Sequence, residues 1–168
     1  MLASWKSFWN ESRLAKAKEL GLTPQQVTSL AAIVHKETAK NDERPTVAGV
    51  YINRLKSGIK LDADPTVIYS KKLEDSDFNQ VIKRVLYKDL TIDNKFNTYK
   101  YTGVPPGPIV TPDLKAIDAV LNYKKHDYYY FVADIDNFGY HDFSKTLSEH
   151  NRKADRYRRW ISSQNVNR

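Results

Sequence analysis

The side chain whose placement most suggests chemistry is Glu37. In the stretch from Leu22 to Thr38, LTPQQVTSLAAIVHKET, apolar residues recur at Val27, Leu30 and Val34, in steps of three and four. That spacing puts them on one face of a helix. The next step along the face is Glu37, a carboxylate where a core residue is expected. A carboxyl group pressed against apolar neighbours is costly to ionise, so its pKa rises. This is how a protein obtains a carboxylic acid able to release a proton near neutral pH. A helix-end glutamate that swings out to solvent, or pairs with a Lys or Arg, fits the same spacing. Asp62, Asp64 and Asp142 are candidates for the second carboxylate that a glycosidase usually wants, and no spacing rule selects among them. Asp64, which precedes Pro65 and Thr66, also reads as a helix cap. His141 reads equally as a substrate-facing donor and as a structural hydrogen bonder.

Other chemistries find no residues to carry them. The sequence has no cysteine, which removes thiolate metal sites, disulfides and a Cys nucleophile. His35, His126, His141 and His150 form no HExxH or paired ligand spacing, so no metal is expected. Val104 to Gly107 lacks the Lys and the helix entry of a phosphate loop, and no Ser stands in a GxSxG elbow. No cofactor is called for, and acid–base chemistry by carboxylates remains. The net charge of +7 would suit nucleic acid, an anionic membrane or an acidic polymer. Much of it lies in Arg152, Lys153, Arg156, Arg158 and Arg159, which read as a solvated basic helix with no nucleic-acid motif beside it. A basic nucleic-acid-binding domain therefore rests on charge alone. The 11 Tyr and 3 Trp offer aromatic faces that suit sugar rings as well as cores.

The elements that must hold these groups are legible in outline. The 168 residues fit one domain large enough for a real core. Residues 4–20 read as a leading helix ended by Gly21. Thr23, Pro24 and Gln26 write out the start of the central helix as cap, first position and capping-box partner. Asn41 or Asp42 can cap a third helix that buries Val47, Val50, Tyr51 and Leu55 and stops at Gly58. Ile59–Leu61 reads as a strand, Asp64-Pro65 as a helix start, and Lys71 to Asn79 as an exposed loop. Val81 to Leu90 fits strand and short helix alike. Phe96 to Pro112 holds four of the seven prolines and two of the six glycines, so it is neither an interior helix nor a strand. It reads as a stiff loop that loses little entropy on binding. Thr111-Pro112 starts another helix, with Leu114, Ile117 and Leu121 inward. Tyr128 to Ala133 and Tyr140 to Phe143 read as paired strands across a turn at Asp136, Asn137 and Gly139, with His141 and Phe143 on one face. Thr146 and Glu149 open the last helix as a capping box. The expected fold class is α+β: helices on the N-terminal side and at the C-terminus, packed with a small, mostly antiparallel sheet. The expected layout is one catalytic domain over 1–168, with a leading helix at 1–21, a core at 22–152 and a basic helix end at 153–168. No apolar run approaches a membrane span and no signal peptide is legible, so the abrupt helical start reads as a fragment of something longer.

The order of several stretches carries a resemblance. HKET (35–38), ERPTVAGVYINRLKSGIKL (43–61), DPTVIY (64–69), FNTY (96–99), GVPPGPI (103–109), YYYFVAD (128–134) and HDFSKTLSEHN (141–151) follow one another as they do in the YceG/MltG family of endolytic murein transglycosylases. The chain resembles that family over roughly residues 27 to 152. The resemblance implies cleavage of peptidoglycan glycan strands between N-acetylmuramic acid and N-acetylglucosamine, inside the strand. It implies Glu37 as the catalytic acid and base, yielding 1,6-anhydro ends without attack by water. It makes Asp64, Thr66, Asn97, Thr98, Tyr99, Pro106, His141 and Asn151 candidates to line the cleft. Asn97 and Thr98 would hydrogen-bond sugar groups, Tyr99 would stack on a pyranose, and the proline-rich loop would form a rigid wall. Family members sit at the outer face of the bacterial cytoplasmic membrane, act near peptidoglycan synthases, and carry a membrane anchor and a LysM-like region that are not legible in this chain. A peptidoglycan-binding scaffold of negligible activity is the alternative within that resemblance. His35, Asp62, Phe96 and Val104 depart from the family pattern, and Asp62 is an extra carboxylate expected near the cleft, where it would raise the pKa of Glu37.

Overall fold

A computed structural model describes residues 2–164. The chain runs α1 (Leu2–Phe8), α2 (Glu11–Leu20), α3 (Pro24–Glu37), α4 (Arg44–Lys56), α5 (Asp64–Glu74), a 3-10 turn (Tyr87–Thr91), α6 (Leu114–Leu121), β1 (Tyr130–Ala133), β2 (His141–Ser144) and α7 (Leu147–Gln164). The fold is α+β and mostly helical. Its one sheet among the described residues is two-stranded and antiparallel, with Phe131 opposite Phe143 and Ala133 opposite His141. Helix α7 packs on both strands.

Helix α3 is the centre of the molecule. Its start is chemically complete: the Thr23 hydroxyl accepts from Gln26 N, the Gln26 side chain accepts from Thr23 N, and Pro24 needs no donor partner. Behind that cap every residue from Val27 to Val34 is buried, so the helix is covered all round rather than on one stripe. α2, α4, α5 and α6 pack against it. Leu30, Ile33 and Val34 are each fully excluded from solvent and contribute about 1.5–3 kcal/mol apiece. Covered on every side, α3 holds its last residue, Glu37, on a fixed base.

Several boundaries differ from the sequence reading. The leading helix is two helices, because Asn10 caps a new start by accepting from Arg13 N. Asn41 and Asp42 do not cap α4. Asn41 accepts from Arg44 and Asp42 from the Tyr140 hydroxyl, so tertiary contacts engage both. At α5 the cap position is Ala63, and Asp64 stands inside the first turn with its carboxylate turned to Tyr99. Ile59–Leu61 joins no sheet, and α5 takes in Lys71 to Glu74 from the expected loop. At α6 the cap is Asp113, which accepts from Ala116 N and also holds the buried guanidinium of Arg44 at 2.8 Å. Residues 165–168 of the expected basic helix end lie outside the described residues.

Candidate active site

Helix α4 carries the walls of the site on one face. Its Asn53 amide donates to the carbonyls of His126 and Tyr128, and Arg54 donates to the carbonyl of Tyr129 at 2.6 Å. The chain entering β1 is thus fastened to α4 by side chains, in place of a third strand. Between this strand, α3, α4 and the Leu61–Asp64 segment lies a cleft of about 790 Å³. That volume is within the range of ligand pockets in general. No group of His and acidic side chains that could hold a metal ion occurs among the described residues.

Glu37 lines this cleft from the end of α3. Its Oε1 accepts from the buried Tyr51 hydroxyl at 2.9 Å. Burial raises the Glu37 pKa to about 7, while the Tyr51 hydrogen bond and the nearby His141 pull it down and Asp64 pushes it up. The carboxylate that bears on Glu37 is thus Asp64; Asp62 stands 3.6 Å from Arg54 instead, in the left-handed backbone region at φ 49°. A ¹³C titration of the side-chain carboxyls should place the Glu37 midpoint near 7. Tyr51→Phe should move it further up, since the donor that favours the charged form is gone. A midpoint in the ordinary glutamate range would show that burial does not act on this group.

The residues expected at the site divide into two sets. Glu37, Asp64, Tyr99, His141 and Asn151 line the same cleft. Asp64 accepts from the Tyr99 hydroxyl at 2.6 Å, and burial with that carboxylate drives the Tyr99 pKa well up, so the phenol stays protonated. Thr66, Asn97 and Thr98 are instead buried beneath the surface. The Thr98 hydroxyl accepts from Ala63 N and meets that of Thr66 at 2.8 Å. The Asn97 amide donates to Leu90 and Ile92 carbonyls and accepts from Tyr99 N. These three brace the loops that present Asp64 and Tyr99. Pro106 is exposed and absent from the cleft lining, and Tyr99 is the one residue of the 96–112 loop that reaches it.

The cleft also holds residues that the sequence does not single out for a site. Tyr51 reads as core in the sequence. The signal it carries is a phenol on an otherwise aliphatic inward face, since a buried Tyr hydroxyl needs a partner. Arg54 is buried at the cleft wall, with its guanidinium 4.9 Å from the Tyr130 ring centre. His150 stacks on that same ring, and burial with the nearby Arg54 lowers its pKa.

A family model described as the YceG-like family matches residues 1–156. The chain belongs to the YceG-like family. It is 38% identical over 156 residues to the endolytic murein transglycosylase of Bacillus subtilis, covering 92% of this chain and 40% of that protein. It is 36% identical over 119 residues to the endolytic murein transglycosylase of Streptococcus pneumoniae serotype 2, covering 70% of this chain and 21% of that protein. The crystal structure of a YceG-like protein from Listeria monocytogenes, titled putative, superposes with a TM-score of 0.69 at 34% identity, covering 82% of this chain and 41% of that one. The chain thus spans about two fifths of the length of the Bacillus relative. Among the described residues of this YceG-like chain, no helix is long and apolar enough to cross a membrane.

Proposed function

We propose that this chain is the catalytic part of an endolytic lytic transglycosylase acting on peptidoglycan glycan strands, with Glu37 as its one catalytic acid and base. The observation that carries the reading is a half-buried carboxyl in a cleft, raised to about 7 and hydrogen-bonded by one phenol. The other carboxylates that could serve a second role are engaged: Asp64 by Tyr99, Asp62 beside Arg54, and Asp142 by Lys153 at 2.8 Å. Single-carboxyl chemistry suits a substrate that brings its own nucleophile. As acid, Glu37 gives its proton to the glycosidic oxygen while the bond to muramic acid C1 breaks. As base, it takes the proton of the C6 hydroxyl of the same sugar, which closes onto C1. That hydroxyl is tethered, so it reacts at high effective concentration and needs no carboxylate to activate a water.

The aromatic side chains of Tyr99, Tyr129 and Tyr130 line the same cleft as the acid and give sugar rings a surface to lie on. On this reading the chain works in the bacterial envelope, at the outer face of the cytoplasmic membrane and near peptidoglycan synthases. Digestion of purified glycan strands, followed by chain-length analysis over time, tests the reading. Internal cleavage shortens the mean length early, before disaccharides accumulate. Early release of disaccharides, or no cleavage, would overturn it.

A further inference from the structure

Glu43 stands at the N-terminal cap position of α4, yet its side chain makes no cap. It turns away from the helix and is almost fully enclosed, 5% exposed. Both oxygens go to one residue on β2. Oε1 accepts from the backbone N–H of His141, and Oε2 lies 2.8 Å from Nδ1 of the same residue. Burial pushes the Glu43 pKa up, but the hydrogen bonds from His141 and Thr38 outweigh it, and the group is held below the ordinary glutamate range. An ionised carboxylate only accepts, so the hydrogen of this contact belongs to Nδ1. The ring packs against that of Phe131 in a T-shaped arrangement, centroids 5.0 Å apart at 80°. Orientation and tautomer are therefore both fixed from outside the cleft. The remaining nitrogen, Nε2, has no protein partner among the described residues, and His141 lines the Glu37 cleft.

We propose that Glu43 is a positioning residue: it keeps the His141 proton on Nδ1, so that in the neutral ring Nε2 faces the cleft as an acceptor for a hydroxyl or acetamido N–H of the glycan. The proposal rests on the glycan-cleaving reading above. Glu43→Gln keeps the shape and reverses the polarity. The amide oxygen still accepts from the His141 backbone, while the amide N–H₂ donates to Nδ1 and drives the proton to Nε2. The acceptor in the cleft becomes a donor.

Two readouts decide the matter. In ¹⁵N spectra of histidine-labelled protein, recorded where raising the pH has brought the ring to its neutral form, wild-type His141 should show a protonated Nδ1 and a bare Nε2. Glu43→Gln should exchange them with the melting curve kept. A bare Nδ1 in the wild type overturns the proposal without any variant having to fold. With glycan strands as substrate, Glu43→Gln should raise KM about 10- to 100-fold with kcat nearly kept, the cost of one mismatched hydrogen bond. His141→Ala should show a similar loss, and the double variant no more than either single one. Losses that add, or that fall on stability alone, assign Glu43 a structural role and overturn the proposal. Wild-type protein that cleaves no strands sinks the activity reading instead. The proposal is then judged by whether added strands shift the Nε2 signal, and an unmoved signal overturns it too.

Discussion

Glu37→Gln should lower kcat on glycan strands by about 10³- to 10⁴-fold while the fold stays intact. That loss corresponds to about 4–5.5 kcal/mol of transition-state stabilisation, the upper end for one acid–base group because Glu37 acts in both proton transfers. The same substitution should also stabilise the protein, in a defined pH window. The folded carboxyl titrates at about 7 against an ordinary 4.5, so burial makes ionisation costly in the native state only. A carboxyl whose folded pKa is raised contributes no penalty below its unfolded value. The penalty begins near pH 4.5, grows to about 7 and levels off above. Glutamine never ionises and still accepts from Tyr51. Relative to wild type it should gain about 1–3 kcal/mol at pH 8, allowing for screening at the cleft mouth, and nothing at pH 4. Urea melts at the two pH values measure this. An equal effect at both would mean the gain comes from packing rather than from the charge.

Gly49→Ala is expected to destabilise the protein although it improves helix propensity. In an exposed helix interior the change would gain about 1 kcal/mol. Here an added Cβ would lie 2.4 Å from the Lys124 carbonyl oxygen and 2.5 Å from Nε2 of His126. The first is backbone and cannot rotate away. The second is held by the Thr46 carbonyl at 2.8 Å. Overpacking of this kind costs about 1–3 kcal/mol, and more when backbone must move. The net expected loss is about 2 kcal/mol, or a fall in Tm of about 4–8 °C. The segment displaced by the clash leads directly into the strand that forms the far wall of the cleft, so glycan turnover should fall with it. A variant with raised Tm would show that α4 and this segment are less closely packed than the glycine implies.

The start of α3 was legible because capping is local: Thr23, Pro24 and Gln26 satisfy one another within four residues. The interrupted apolar stripe that ends at Glu37 is a local signal too, but the same spacing fits a solvent-facing glutamate, and it takes the cleft beside the end of α3 to separate the two. The division among the polar residues was not. Asn97 and Thr98 share a motif with Tyr99, yet the first two point into the protein and the third lines the cleft. Nothing in a loop sequence fixes which way a polar side chain faces, because its partners here, Ala63, Leu90 and Ile92, are brought by other segments. Tyr51 was hidden for the opposite reason. Its ring belongs to the core pattern, and its hydroxyl acquires meaning only when α3 sets Glu37 beside it. Glu43 is no more than a charge near a helix start in the sequence, since its partner lies 98 residues away. The proline-rich loop is irregular, as its composition dictates, and apart from Tyr99 it does not line the cleft.

The mass of newly formed strand ends tests the single-carboxyl mechanism most directly. Purified glycan strands digested by the wild-type chain should gain 1,6-anhydromuramic ends, lighter by one water than reducing ends, and these should vanish with Glu37→Gln. Reducing ends in the wild-type digest would mean that water attacks C1, that a second carboxylate activates it, and that Glu37 does not work alone.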